Sequence, residues 1–276
     1  MADIIKEGEK NRTHIVGRFM RESLLSKELL ASTEPQREVR LLPEANIIGV
    51  GGHSIMDRGK AAVLPLCDAL VRAKAKYKMI VGVSGGTRMR HTMSVGLDLG
   101  LPTGGLAQIA GAVEEQNAAL LQAILSAHGG VAMCREHFPE LPIYLEVGIL
   151  PIVICMPPYH FWEEPPRKGR LPMNGPDVGL YLTADVVGAR SLIFIKDQKG
   201  LYTDNPDTNP NAKFIPEATC DEILRADYPE LIIEEKVLEY MKNGRHIREI
   251  QIINGLEPGN LERALNGEHV GTIIRA

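Results

Sequence analysis

The sequence predicts an α/β protein, a three-layer αβα sandwich built around a mainly parallel sheet. Three observations point there. Apolar, β-branched runs of strand length alternate with longer stretches whose apolar residues recur at helical spacing. Two of the early runs end in paired glycines, Gly51-Gly52 and Gly85-Gly86. The 276 residues, 44% hydrophobic and 24% charged, are enough to enclose a large core. Strand, glycines, helix, strand, glycines is the order of a doubly wound sheet with ligand loops at its strand ends.

The elements follow in chain order. Residues 1–40 are polar and mixed in charge, with a short amphipathic stretch over 19–30. They read as an N-terminal arm, either a helix packed on a neighbour or a loose segment that grips another subunit. Residues 41–276 read as one domain of two lobes. Its first strand, 46–50, runs into Gly51-Gly52. A helix is predicted over 58–74, with Ala62, Leu66, Leu70 and Ala73 on one face. A strand over 78–83 ends in Ser84-Gly85-Gly86, and a long helix over 107–128 is closed by Gly129-Gly130, since glycine tolerates a left-handed turn. The apolar runs 141–147 and 150–155 read as a strand pair or as a helix and a strand. Between them and Pro176 lies a loop dense in proline, glycine and charge; loops of this length are more often functional than idle. A helix over 177–189, a strand over 191–196 and a turn-rich insert come next. A helical stretch over 219–242, a strand over 249–253, a short helix over 261–265 and a strand over 272–274 complete the chain.

Composition excludes several classes. A net charge of −4 gives no bulk attraction to nucleic acid or to anionic membranes. The four cysteines, Cys67, Cys134, Cys155 and Cys220, are scattered without paired spacing, which speaks against a disulfide framework or a zinc knuckle. No apolar run approaches the length of a membrane span, and the charged N-terminus lacks the apolar core of a signal peptide. A cytoplasmic protein is expected.

Gly51, Gly52, Gly85 and Gly86 allow backbone N–H groups to approach phosphate oxygens closely, with a helix N-terminus adding a favourable field. Tight turns of any α/β domain are the plainer reading of one such pair; two pairs in adjacent units favour a ligand. Arg88, Arg90 and His91 would place positive charge beside an anion, although a solvated helix face accounts for them equally. Asp177, in Pro176-Asp177-Val178-Gly179, is either a helix cap or an acid that orients a lysine or a metal-bound phosphate. Lys196, Asp197, Gly200, Tyr202, Asn205 and Pro206 follow a strand in a structured turn, a floor for a base and ribose or a plain hairpin.

The order of the motifs Gly-Gly, Gly-Gly, P-D-V-G, K-G-L-Y-T-x-N-P and N-G-L-x-P-G…G-E-x-V-G-T-I-I resembles the amino-acid kinase superfamily, and the likeness spans 41–275. Within it, G-G-H-S-I-M-D-R-G (51–59), G-T-R-M-R-H (86–91), S-V-G-L-D-L-G-L-P (94–102), E-E-Q-N-A-A-L-L (114–121), M-P-P-Y-H (156–160) and G-E-H-V-G-T-I-I (267–274) are similar to the bacterial molybdenum storage branch. The resemblance implies an amino-acid kinase fold, binding of ATP with Mg²⁺, and deposition of molybdate or tungstate as polyoxometalate clusters inside a hexameric cage, homomeric or mixed. It implies a catalytic-site role for Asp177, nucleotide contacts from the glycines, Arg88 and the 196–206 turn, and cluster contacts at Glu136, His137 and His160. Gln116 and Asn117 are further candidates for those contacts. His128 and His246 read as surface histidines.

Two departures stand out. The family's first strand ends K-I-G-G, with the lysine reaching the transferred phosphate; here it reads Gly49-Val50-Gly51-Gly52. Losing such a cation removes about a hundredfold or more in rate, so Lys60, Lys196 or an arginine takes over, or the subunit binds nucleotide without efficient cleavage. The family's V-D-G turn is Gln198-Lys199-Gly200, exchanging a negative for a positive charge. Three functions remain open: an ATP-binding storage subunit, a uridylate-kinase-like phosphotransferase, and a degenerate non-catalytic nucleotide-binding subunit.

Overall fold

The computed structural model describes residues 2–7, 10–15, 27, 38–157, 163–166 and 168–276. The chain divides into two compact units, Met1–Val39 and Arg40–Ala276. The first contains an antiparallel pair, β1 (Ala2–Glu7) and β2 (Lys10–Ile15), with Glu7 opposite Lys10. This hairpin is absent from the sequence reading. The amphipathic stretch 19–30, Lys27 apart, lies outside the described residues.

The second unit is organised by eight strands. In chain order they are β3 (Ala45–Val50), β4 (Lys78–Val83), β5 (Gly130–Ala132), β6 (Leu150–Ile154), β7 (Ser191–Lys196), β10 (Glu217–Thr219), β11 (Glu249–Asn254) and β12 (Thr272–Arg275), while β8 (Leu201–Tyr202) and β9 (Phe214–Ile215) form a small hairpin beside them. Across the sheet the order is β10-β12-β11-β7-β3-β4-β6-β5, and only the β11–β12 pairing is antiparallel. Every residue of β3 and of β6 is buried, which explains their unbroken apolar sequences: strands covered on both faces do not alternate.

The helices are α1 (Lys60–Lys74), α2 (Gly86–Asp98), α3 (Thr103–Leu125), α4 (Leu141–Glu146), α5 (Pro176–Val186), α6 (Cys220–Ala226), α7 (Glu235–Met241) and α8 (Asn260–Leu265). One face of the sheet, carrying Ile47, Ile80, Phe194 and Ile252, packs against α4, α5, α6 and α7. The other, carrying Ile48, Val50, Val81 and Ile195, packs against α1, α3 and α8. That is the three-layer αβα sandwich expected from the sequence. α2 lies on α3, where Gly96 lets Leu106 and Ile109 approach closely.

The predicted helix over 219–242 is two helices. Asp227, in the left-handed region at φ 48°, closes α6, and Pro229 stands in the gap. The released segment 230–234 turns toward the carboxyl ends of the strands. The ambiguous runs 141–147 and 150–155 resolve into a helix and a strand. Among the described residues no helix is long and apolar enough to cross a membrane.

Candidate functional site

In an open parallel sheet the ligand crevice lies beyond the carboxyl ends of the strands. Here β3, β4 and β7 end around a cavity of about 620 Å³. Its lining includes Gly51, Gly52 and Gly86 from the two glycine loops, Asp177 from the start of α5, and Lys196, Asp197, Gly200, Tyr202, Asn205 and Pro206 from the turn after β7. Ten of the twelve nucleotide-site and catalytic expectations therefore share one cleft, although they come from four separate stretches of chain. Gly85 and Arg88 do not line it. Gly85 backs onto Met89, and the Arg88 guanidinium turns inward to Asn117. Arg90 faces the cleft instead.

The floor is backbone. Gly51 N–H donates to the Ile195 carbonyl at 3.1 Å, and Gly52 N–H donates to Ser84 Oγ at 2.7 Å. Gly52 lies directly against Gly86, so a side chain at 52 would strike Gly86 and Ser84. Asp57 reaches across the loop and accepts from Thr87 N–H at 2.7 Å, covering the first turn of α2. Burial raises its pKa, but the Thr87 and His53 hydrogen bonds outweigh that and hold the carboxyl below its ordinary range.

The far wall is acidic. Lys196 Nζ donates to both carboxylate oxygens of Asp177 at 3.0 Å, and both side chains are largely enclosed. Glu234 closes the wall: its Oε2 accepts from Val178 N–H at 3.0 Å in the first turn of α5, and its own N–H lies 3.4 Å from Asp177 Oδ2. Burial first, then the charge on Asp177, push Glu234 up to about 8. Behind it Glu114 of α3 is wholly buried, accepting from Met156 N–H at 2.6 Å, and burial drives its carboxyl well above the usual range.

The turn after β7 is held by the C-terminal motif. Leu201 N–H donates to Thr272 Oγ1 at 2.8 Å, and Gly200 presses against Thr272 so closely that no Cβ would fit. K-G-L-Y and V-G-T-I-I are thus two halves of one contact. Tyr202 packs against Phe214 with ring centroids 5.5 Å apart and the planes tilted by 59°. Lys199, the departure from V-D-G, lies over the Phe214 ring at 4.4 Å and is not part of the cleft lining. Asn205 pins the rim, with its Nδ2 donating to Glu230 and its Oδ1 accepting from Asp207 N–H.

The model of the amino acid kinase family matches residues 44–254. The chain belongs to the amino acid kinase family. It is 42% identical over 258 residues to the molybdenum storage protein subunit beta of Azotobacter vinelandii, covering 94% of this chain and 96% of that one. It is 29% identical over 239 residues to a uridylate kinase of Methanothermobacter thermautotrophicus, covering 83% and 97%. In fold it is similar to the crystal structure of UMP kinase from Ureaplasma parvum, with a TM-score of 0.66 at 14% identity over 85% of this chain and 99% of that one.

Against the family's motif, Gly49 acquires a structural reason. It pairs with Phe194 across β3 and β7, and a Cβ there would stand 2.8 Å from Leu180 and 2.9 Å from Phe194. Those two buried side chains fill the space above the glycine. Lys196 emerges on the same face of the sheet two residues beyond Phe194, its Nζ 5.7 Å from that ring.

Glu136 and His137 lie apart from this cleft, exposed on a 3₁₀ turn (Arg135–Glu140) after β5. His137 Nδ1 lies 3.0 Å from Glu140 Oε1, a contact that raises the imidazole's pKa. His160 lies outside the described residues. Among the described residues no group of three or more His, Cys, Asp or Glu is arranged to hold a metal ion. Sequence reasoning missed Glu234, Glu114 and Asp57. Asp57 and Glu114 lie inside the quoted 51–59 and 114–121 motifs, whereas Glu234 lies in none.

Proposed function

We propose that this amino acid kinase family member is the nucleotide-binding subunit of a cytoplasmic store for molybdate or tungstate. In this reading ATP with Mg²⁺ occupies the 620 Å³ cleft, and the oxyanions accumulate as polyoxometalate clusters within a hexamer, homomeric or mixed with a related subunit. The observation that carries the reading is the 42% identity, over 94% of this chain, to a molybdenum storage protein subunit.

The cleft's chemistry supports the nucleotide part. The close glycine backbones leave room for phosphate oxygens, Lys196 offers a cation, and the turn from Gly200 to Pro206 offers Tyr202 as an aromatic wall. Mg²⁺ keeps several waters and needs only one or two carboxylates besides the phosphates; Asp204 and Asp207 on the cleft lining would supply them. Asp177 would position Lys196 rather than take part itself. Gly49 removes the family's phosphate-reaching lysine, which suits a subunit that holds nucleotide more than one that transfers phosphate quickly. Glu136, His137 and His160 remain the proposed cluster contacts.

The test is elemental analysis of the assembled protein after expression with molybdate. Metal well beyond one atom per chain is expected, and protein free of bound metal removes the reading. One observation favours the phosphotransferase alternative: Lys196 lies on the same face as Gly49, one strand away. UMP with ATP should then yield UDP, and no product with common acceptors ends that alternative.

A further inference from the structure

The wall opposite the glycine loops contains more acid than base. Three carboxyls, Asp177, Glu234 and Glu114, lie near one another with one ammonium, Lys196, beside the first two, and the thiol of Cys155 is buried against the same group. Among the described residues Lys196 Nζ bonds to Asp177 alone, at equal distance to both oxygens, so one cation faces one carboxylate. Ionising Glu234 and Glu114 as well would leave two uncompensated charges out of water, a state that buried acids avoid by keeping their protons. Burial therefore favours the protonated form of both acids. Among the described residues Glu114 Oε1 has no hydrogen-bond partner, although the side chain is fully buried. Glu114 is sealed away, whereas Glu234 lines the cavity. Gly175 is glycine for the same reason: the Glu234 carboxyl lies flat against it, and any side chain there would strike Oε1.

A protonated carboxyl differs from a carboxylate in one respect that matters to an anion: it can donate. Oε2 of Glu234 is committed to Val178 N–H, which leaves Oε1 to carry the proton. We propose that Glu234 is an anion-binding residue of this cleft, donating from its protonated carboxyl to an oxygen of the anion held beside Lys196 and repelling that anion once ionised. The proposal rests on the nucleotide-binding reading above, with the triphosphate of ATP as the anion. It adds a donor that no basic residue supplies and makes retention of the anion depend on a proton.

The groups facing Glu234 are Asp177 and Val178 of α5, Lys196 of β7, Glu114 of α3 and Cys155 after β6. Among these the Glu234 carboxyl alone combines contact with the cavity and titration near pH 8. Binding of Mg-ATP to the full-length assembled protein, measured by calorimetry from pH 7 to pH 9, tests this. The wild type should weaken about tenfold across that range, the fall expected when only the protonated form of a group titrating near 8 binds. Glu234→Gln keeps an N–H donor and cannot ionise, so its affinity should stay flat. A second measurement needs no variant: above pH 8, wild-type binding should take up close to one proton, read from heats in buffers of different ionisation enthalpy. Equal pH profiles for wild type and Glu234→Gln, or binding without proton uptake, overturn the role of Glu234 and leave nucleotide binding intact. No Mg-ATP binding at any pH overturns both.

Discussion

Leu180 and Phe194 occupy the space that a side chain at position 49 would need, with a Cβ there at 2.8 Å and 2.9 Å from them. Restoring the family's lysine is therefore not a restoration of activity. Gly49→Lys overpacks a buried layer, a change that costs about 1–3 kcal/mol, and its ammonium would have to displace Phe194 to reach the cleft. A lowered unfolding midpoint without gain of ATP hydrolysis is expected; a stable variant that hydrolyses ATP would show the space to be available. The two buried acids give a second residue-level prediction. Burial raises the carboxyls of Glu114 and Glu234 in the fold above their values in the unfolded chain, so the folded state loses stability as pH rises above the ordinary glutamate range, until each group's folded pKa is passed. Denaturant midpoints should fall from mildly acidic pH to pH 9, and Glu234→Gln should flatten the part of that fall that ends near pH 8. At this scale the placement of Gly51, Gly52, Gly86 and Asp177 in one cleft was legible because their motif spacing carries them, whereas Gly85 backs onto Met89 instead. Glu234 was not: it reaches Asp177 and Val178 only through folding, and nothing in Ile-Ile-Glu-Glu marks the first acid as buried.

Elements show the same division between local and distant causes. β3, β4 and β7 were readable to within a residue, because strands buried on both faces are continuous apolar runs flanked by glycine or charge. The 219–242 stretch was misread as one helix because Ile223, Leu224, Val237, Leu238 and Met241 keep a helical rhythm across it, whereas Asp227 and Pro229 break the backbone. α2 illustrates how a loop residue can serve an element thirty positions later: Asp57 accepts from Thr87 N–H in its first turn. Removing a carboxylate that satisfies a helix start costs about 1 kcal/mol, so Asp57→Ala should lower stability by that order. The sign of its pH dependence follows from the depressed carboxyl. The contribution is complete above the ordinary aspartate range and disappears as pH falls through the lower folded value. Wild type and variant should therefore converge under acid and diverge at neutral pH, which denaturant melts at several pH values will read. A gap that persists at the acid end would assign the loss to packing rather than to the charge-assisted hydrogen bond.

For the whole molecule, the division of the chain at Val39 and Arg40 suggests a test of whether fold and assembly are separable. Among the described residues, all eight strands of the main sheet, both hydrophobic layers on its faces and the cleft lining belong to Arg40–Ala276. A two-stranded hairpin such as β1–β2 is marginal by itself in water. An element of that kind is kept in a protein when something else buries it, and in an oligomeric reading the neighbouring subunit is what does so. Deleting residues 1–39 should accordingly leave the circular dichroism spectrum of an α/β protein and binding of Mg-ATP, while lowering the mass of the assembly measured by light scattering. If the truncated chain assembles as the full chain does, subunit contacts lie on the kinase-fold unit alone. Exposed Val95 of α2, Leu99 just beyond it, and Leu120 and Ile124 of α3 would then be the side chains to replace next. If instead the truncated chain loses nucleotide binding while its sheet survives, the arm acts on the cleft, and the separation of fold from assembly drawn at Val39 fails.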